Sequence, residues 1–291
     1  MTKKKILVTG AAGYVSGRML PELRERYDLV LLDASATWSP DRPHAVGTRV
    51  EDVQVADLLD PDRSKYQHFF EGVDAVVHLA YIRQREETAI DRYTSQRENV
   101  DMAYNVLRAA YDAGVRRVVS ASSNHAADWY EREMLHDRKM EVLDPYDLAL
   151  SDNYYGWSKA TYEHLGFLFA CGSFGRKMDV VMVRIGSPGE VKPNEDPRAF
   201  KRTLGSYLSQ RDQTQLFVKS IEAPNIENEH GIPWLVVYGI SNNTRGFWSL
   251  VNARKIIGYE PEDDSEVRFA GDIQGFLAGD GAKAGPGRLG R

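Results

Sequence analysis

The sequence predicts an α/β fold: a doubly wound parallel sheet with helices on both faces, followed by a small C-terminal portion. Three observations predict it. Strand and helix signals alternate through residues 1–186, the order that builds parallel strands joined by helical crossovers. The apolar run Ile6-Leu7-Val8 leads straight into the glycine-bearing turn Thr9-Gly10-Ala11-Ala12-Gly13. Beyond residue 186 the alternation stops, and Pro188, Pro193 and Pro197 mark loops between short mixed signals.

The elements follow in chain order. Strands are expected over 4–9, 28–33, 52–56, 73–78 and 116–121, and Asp179-Val180-Val181-Met182-Val183-Arg184 reads as a further buried strand. Helices are expected over 13–26, 62–71, about 88–113 and about 153–175. The first of these carries Val15, Met19, Leu20 and Leu23 along one side, an amphipathic stripe of helical period. Residues 187–278, with Trp234-Leu235-Val236-Val237-Tyr238 as a strand signal, are expected to lie over the sheet edge as a small substrate-binding portion. The end, 279–291, lacks apolar residues to bury and is expected to be disordered. No internal repeat is present.

Composition narrows the function. A net charge of −5 leaves no electrostatic footprint for nucleic acid. No apolar run approaches a membrane span, and the apolar segment after Lys3-Lys4-Lys5 is too short for a signal-peptide core. The single cysteine, Cys171, excludes an intrachain disulfide and fits a reducing, cytoplasmic compartment. It reads as a core residue, and His and Cys show no metal-ligand spacing.

The strand–Gly turn–helix opening is a Rossmann-type dinucleotide site. Gly10 allows the tight turn, Gly13 lets the backbone approach a pyrophosphate, and the helix start supplies N–H donors. Ser16 stands where the third glycine usually falls, with Gly17 beside it. The second strand, Leu29-Val30-Leu31-Leu32-Asp33, ends in a carboxylate about 20 residues beyond the glycines, placed to accept the ribose hydroxyls and repel a 2′-phosphate. The next residues are Ala34, Ser35, Ala36 and Thr37, with no Arg. NAD is therefore expected over NADP.

Tyr155 and Lys159 are four apart and share one face of a helix. A phenol beside a fixed ammonium is an acid/base at neutral pH, since a nearby cation favours the phenolate.

Taken together, Thr9-Gly10-Ala11-Ala12-Gly13, Ala56-Asp57-Leu58, His78-Leu79-Ala80, Asn99-Val100, Ser122-Ser123 and Tyr155 with Lys159 resemble the extended short-chain dehydrogenases/reductases of the NAD-dependent epimerase/dehydratase kind. Ser122-Ser123-Asn124-His125, Arg184-Ile185-Gly186-Ser187 and Tyr238-Gly239-Ile240-Ser241-Asn242, with Phe247-Trp248 and Gly258-Tyr259-Glu260-Pro261, narrow the resemblance to uronate dehydrogenases. Those enzymes oxidise the anomeric carbon of a hexuronic acid with NAD. A group of NAD-dependent glucose-6-phosphate dehydrogenases is similar.

The resemblance implies a catalytic Ser123, Tyr155 and Lys159. It implies cofactor contacts from Gly10, Ala12, Gly13, Tyr14, Val15, Asp33, Asp57, Leu58, Leu79, Ala80, Asn99, Ser122, Tyr155, Lys159 and Ile185. Substrate contacts fall to Ser123, Asn124, His125, Tyr155 and Arg184, with Arg83 added where the family carries a small hydroxyl residue. Tyr155 would take the hydroxyl proton, Lys159 would lower its pKa and hold the nicotinamide ribose, and Ser123 would position the reacting oxygen. Arg184 and Arg83 together would clamp an anion, so an acidic substrate is expected. The charged segment 126–152, including Trp129-Tyr130-Glu131-Arg132-Glu133, is expected to be mostly solvated surface that could cover the pocket.

The expected activity is NAD-dependent oxidation of a sugar or sugar acid at C1. The alternatives are a sugar-phosphate dehydrogenase, an epimerase or dehydratase acting on a nucleotide sugar, and a non-catalytic nucleotide sensor. Family members of this type pair the helices near 88–113 and 153–175 in a homodimer. Val100, Met102 and Leu107 on the first, and Leu165, Phe167, Leu168 and Phe169 on the second, are the apolar residues expected at that interface.

Overall fold

The structure, a computed structural model, describes residues 3–35, 50–194 and 196–278. The tail 279–291, and Ala36 and Thr37 after the second strand, lie outside the described residues. The chain runs β1 (Lys5–Thr9), α1 (Tyr14–Arg26), β2 (Asp28–Asp33), β3 (Val53–Val55), α2 (Ser64–Gln67) and β4 (Ala75–His78). It continues through α3 (Tyr93–Asp112), β5 (Arg117–Ser123), α4 (Asp128–Tyr130), α5 (Tyr154–Ala170), β6 (Asp179–Ile185) and β7 (Ser187–Pro188). Last come α6 (Pro197–Ser206), β8 (Tyr207–Leu208), α7 (Gln210–Glu222), β9 (Trp234–Gly239), α8 (Ser265–Arg268) and α9 (Ala270–Ala278).

Among the described residues the main sheet has seven strands in the order β3-β2-β1-β4-β5-β6-β9, and every pairing is parallel. The order reverses at β1, which lies between β2 and β4, and such a switch point opens a crevice at the carboxyl ends of the strands. The 187–278 portion is joined to this sheet, since β9 lies beside β6 and pairs Tyr238 with Arg184.

The strands read as unbroken apolar runs because both faces are covered. Alternate residues point to opposite sides. Ile6, Val8, Val77, Val119, Val181 and Val237 pack with Met19 and Leu23 of α1 and Leu216 and Phe217 of α7. Leu7, Val76, Val118, Val180 and Val236 pack on the other face with Met102 and Val106 of α3 and Phe169 of α5.

Met102, Leu107 and Phe169 are thus core residues, each at most 5% exposed. The expectation that they face a partner subunit is corrected. The outward aromatic and aliphatic side chains of α3 and α5 are instead Tyr93, Tyr104, Trp157 and Leu168.

Candidate active site

The glycine turn is shaped by close packing against the end of β4. Gly10 has φ +70°, and a Cβ there would lie 2.5 Å from the Ala80 backbone nitrogen. Only glycine satisfies both the left-handed backbone and that approach. Ser16 is fully buried and donates from Oγ to the Gly10 carbonyl at 2.6 Å. Its hydroxyl ties α1 to the turn, which accounts for a serine at the usual third-glycine position.

The turn opens onto a cleft of about 500 Å³. Of the expected cofactor residues, Gly10, Gly13, Tyr14, Val15 and Asp33 line it from the β1 and β2 ends. Asp57, Leu58, Leu79 and Ala80 line it from the other side. Asp33 accepts from Ala12 N at 2.9 Å and from Ala34 N at 2.8 Å, one bond to each carboxylate oxygen. Asp33 and a turn that admits no side chain at Gly10 thus lie on the same cleft, and the residues fit a dinucleotide.

Asp33→Ala should weaken NAD binding and narrow the preference for NAD over NADP. Catalytic efficiencies with both cofactors test this, and a wild type that prefers NADP would refute the role of Asp33.

Four expected cofactor contacts are buried in other roles. Ala12 is buried behind the cleft, its N–H taken by Asp33. Asn99 is fully buried and holds the segment after β4, accepting from Ile82 N at 2.7 Å and donating to Ile82 O at 2.8 Å. Ser122 donates to Glu163 Oε1 at 2.7 Å, so its hydroxyl faces the interior. Ile185 closes β6 and is largely buried.

The catalytic trio meets where β5 ends against the start of α5. Asn153 caps α5, its Oδ1 accepting from Gly156 N at 2.9 Å. Gly156 brings this helix onto the His125 backbone, and a Cβ there would lie 2.0 Å from the His125 carbonyl oxygen. That contact sets the start of α5, which carries Tyr155, against the end of β5, which carries Ser123. Ser123 Oγ also accepts from His125 N at 3.2 Å. Asn124 is buried, and its Nδ2 has no hydrogen-bond partner among the described residues.

Lys159 lies one turn beyond Tyr155, 5% exposed, and donates to the Ala121 carbonyl at 3.0 Å. Burial pushes it down to about 7, with Glu163 opposing. Burial raises Tyr155, and the nearby Ser123 hydroxyl opposes that rise. The expected lowering of Tyr155 by Lys159 is therefore not what this arrangement produces, because the same desolvation acts against both charges. His78, hydrogen-bonded through Nδ1 to Thr9 Oγ1 at 2.8 Å, is held neutral by burial and by Lys159, its pKa pushed down to about 3.

The two arginines are not brought together. Arg184 is 1% exposed and grips Glu163 of α5 through Nε and Nη2, both at 2.8 Å, while Nη1 donates to the Tyr238 hydroxyl at 2.8 Å. The expected substrate-binding fork is spent on an internal carboxylate. Strand register explains this, since Ser122, Arg184 and Tyr238 are aligned partners on β5, β6 and β9 beneath Glu163. Arg83 is exposed and lines the cofactor cleft. No anion clamp is formed by this pair, and the acidic-substrate expectation loses its basis.

Sequence reasoning missed Tyr81. Its ring meets Tyr155 edge-on with centroids 5.6 Å apart, lies 5.2 Å from Lys159 Nζ, and its hydroxyl accepts from Gln96 Nε2 at 3.0 Å. The bulky residue after His78-Leu79-Ala80 was the available signal.

The segment after β5 is also more buried than its charge suggests. Asp128, Glu131 and Leu135 are buried, and Glu131, in a π turn over Glu131–Leu135, accepts from Arg202 of α6. Arg138, Lys139 and Glu141 are exposed, as expected. Among the described residues no group of His, Cys, Asp or Glu could hold a metal ion, and no helix is long and apolar enough to cross a membrane.

Known proteins resemble this chain along nearly its whole length. The chain is 34% identical to an NAD-dependent glucose-6-phosphate dehydrogenase of Haloferax volcanii, over 92% of this chain and 97% of the relative. It is 32% identical to a uronate dehydrogenase of Pseudomonas syringae pv. tomato, over 95% of this chain and 88% of the relative. The crystal structure of uronate dehydrogenase from Agrobacterium tumefaciens superposes with a TM-score of 0.70 at 28% identity, covering 94% of this chain and 90% of that one. Residues 6–187 match the family model described as the NAD dependent epimerase/dehydratase family. With the glycine turn, the Asp33 carboxylate and Tyr81 on one cleft, and Tyr155 packed against Tyr81, this match places the chain in the NAD dependent epimerase/dehydratase family.

Proposed function

We propose that this protein oxidises a sugar or sugar acid at C1 with NAD, using Tyr155 as the base. One observation carries the reading: Tyr155 stands one helical turn from Lys159 and packs edge-on, centroids 5.6 Å apart, against Tyr81, which lines the cleft that fits a dinucleotide. NAD, when bound, accepts the hydride from the sugar carbon. Ser123 holds the reacting hydroxyl, Tyr155 removes its proton, and the sugar leaves as the carbonyl or lactone product. Asn124 offers its unpartnered Nδ2 to a neighbouring sugar oxygen. Lys159, one turn beyond Tyr155, is placed to hold the nicotinamide ribose.

Relatives named as sugar and sugar-acid dehydrogenases support a free sugar substrate. Incubating the protein with NAD and a panel of free aldoses, uronic acids and sugar phosphates should give net NADH formation. Turnover of nucleotide sugars without net NADH would replace this reading by an epimerase or dehydratase.

The reading extends to a homodimer through α3 and α5, supported by the exposed Tyr93, Tyr104, Trp157 and Leu168 on those helices. Sedimentation showing only monomer at micromolar concentration counts against it. The single cysteine supports a cytoplasmic location, which cell fractionation checks.

A further inference from the structure

Asp128 lies outside every motif named above, yet three segments of the active-site wall converge on it. It is 7% exposed and sits in the α4 turn just after β5. His125 Nδ1 lies 3.1 Å from its Oδ2. Asn153 Nδ2 donates to the same oxygen at 2.8 Å, and Ser151 Oγ donates to Oδ1 at 2.9 Å. Arg132 Nη2 is 4.0 Å away and is itself paired with Asp152.

These contacts have a chemical consequence. Burial raises the Asp128 carboxyl, but the hydrogen bonds from His125, Ser151 and Asn153 outweigh it and hold the group below its ordinary value. An ionised carboxylate only accepts, so the proton in the His125 contact belongs to Nδ1. In the neutral imidazole the lone pair is then on Nε2. That ring meets Tyr155 edge-on with centroids 5.6 Å apart, and the side chain is 40% exposed. The contact to Asn153 adds a mechanical link, because Asn153 caps the helix that begins with Tyr154 and Tyr155.

We propose that Asp128 is a positioning residue: it fixes His125 with Nδ1 protonated, leaves Nε2 to accept from the sugar hydroxyl beside the reacting carbon, and ties that imidazole to the cap of the Tyr155 helix. The substrate half of this statement rests on the sugar dehydrogenase reading above. The 126–152 segment thereby acquires a role, since Asp128 near its start and Ser151 near its end are fastened together against the catalytic helix.

The first test needs no substrate. In the full chain labelled with ¹⁵N-histidine, and with His125→Ala to assign the signal, the neutral His125 should show a protonated Nδ1 and an unprotonated Nε2. Asp128→Asn should lose that preference, and Asp128→Glu should restore part of it. A wild-type His125 carrying its proton on Nε2 would overturn the proposal without any variant.

The second test uses glucose, glucuronate or glucose 6-phosphate, whichever reduces NAD, beside its 2-deoxy analogue. Asp128→Asn should raise KM for the parent sugar about tenfold and narrow its advantage over the analogue, with NAD affinity measured by fluorescence unchanged. Equal losses for both sugars together with weakened NAD binding would show a merely structural role. Absence of NAD reduction with every free sugar, with the tautomer result intact, would instead refute the substrate class and leave the His125 assignment standing.

Discussion

Tyr155→Phe should lower turnover by about 10²–10⁴-fold while leaving NAD affinity nearly unchanged. The reason is a division of labour along the cleft. The Gly10 turn and Asp33 lie at the β1 and β2 ends, whereas Tyr155 stands at the β5 end, its ring against Tyr81 and His125. Removing one oxygen takes away the proton acceptor and leaves the ring in its edge-on contacts with Tyr81 and His125. The pH profile should carry the same signature. Burial raises the phenol, so at neutral pH the acid form predominates and sugar oxidation in the wild type should speed up as pH rises. Tyr155→Phe should abolish that dependence. Single-turnover rates with a confirmed substrate, and fluorescence titration with NAD, check both halves. Wild-type turnover in the variant would remove Tyr155 as the base.

Glu163→Gln should destabilise the fold by about 3–5 kcal/mol, because it strands a buried cation. The Glu163 and Arg184 side chains are 5% and 1% exposed. Desolvation acts to lower the Arg184 pKa, but the charge and hydrogen bonds of Glu163 outweigh it and hold the guanidinium firmly protonated. The variant would also loosen Ser122, which donates to the same carboxylate, and with it the strand end that presents Ser123. Exchanging both partners for apolar side chains, Glu163→Leu with Arg184→Met, should cost clearly less than the single change, since no charge is left unpaired. Urea denaturation of the three proteins tests the comparison. A single variant within 1 kcal/mol of wild type (roughly) would mean that the pair is solvated in solution.

These residues also show where sequence reading stops. The strands, the long helices, the Gly10 turn, the Asp33 strand end and the Tyr155–Lys159 pair were legible because each is encoded within a few consecutive residues. Apolar period separates a strand buried on both faces from an amphipathic helix, and a four-residue spacing sets two side chains on one helix face. Arg184 looked free to bind an anion because its partner, Glu163, comes from another element. Their meeting depends on the alignment of β5, β6 and β9 and on how α5 lies across them. Met102 and Phe169 looked available for a dimer face for a similar reason, since helical period gives the stripe but not how much of it the sheet covers.

Tyr81 and Asp128 belong to the same class. The bulk of the phenol after β4 is visible in the sequence, but neither it nor a carboxylate in a charged run shows locally that it will meet Tyr155 or His125. The sequence by itself determined the fold, the dinucleotide turn and the acid/base pair. Tertiary structure alone decided which charges are spent inside the protein and which groups orient the catalytic ones, because burial and pairing are properties of neighbours distant in the chain.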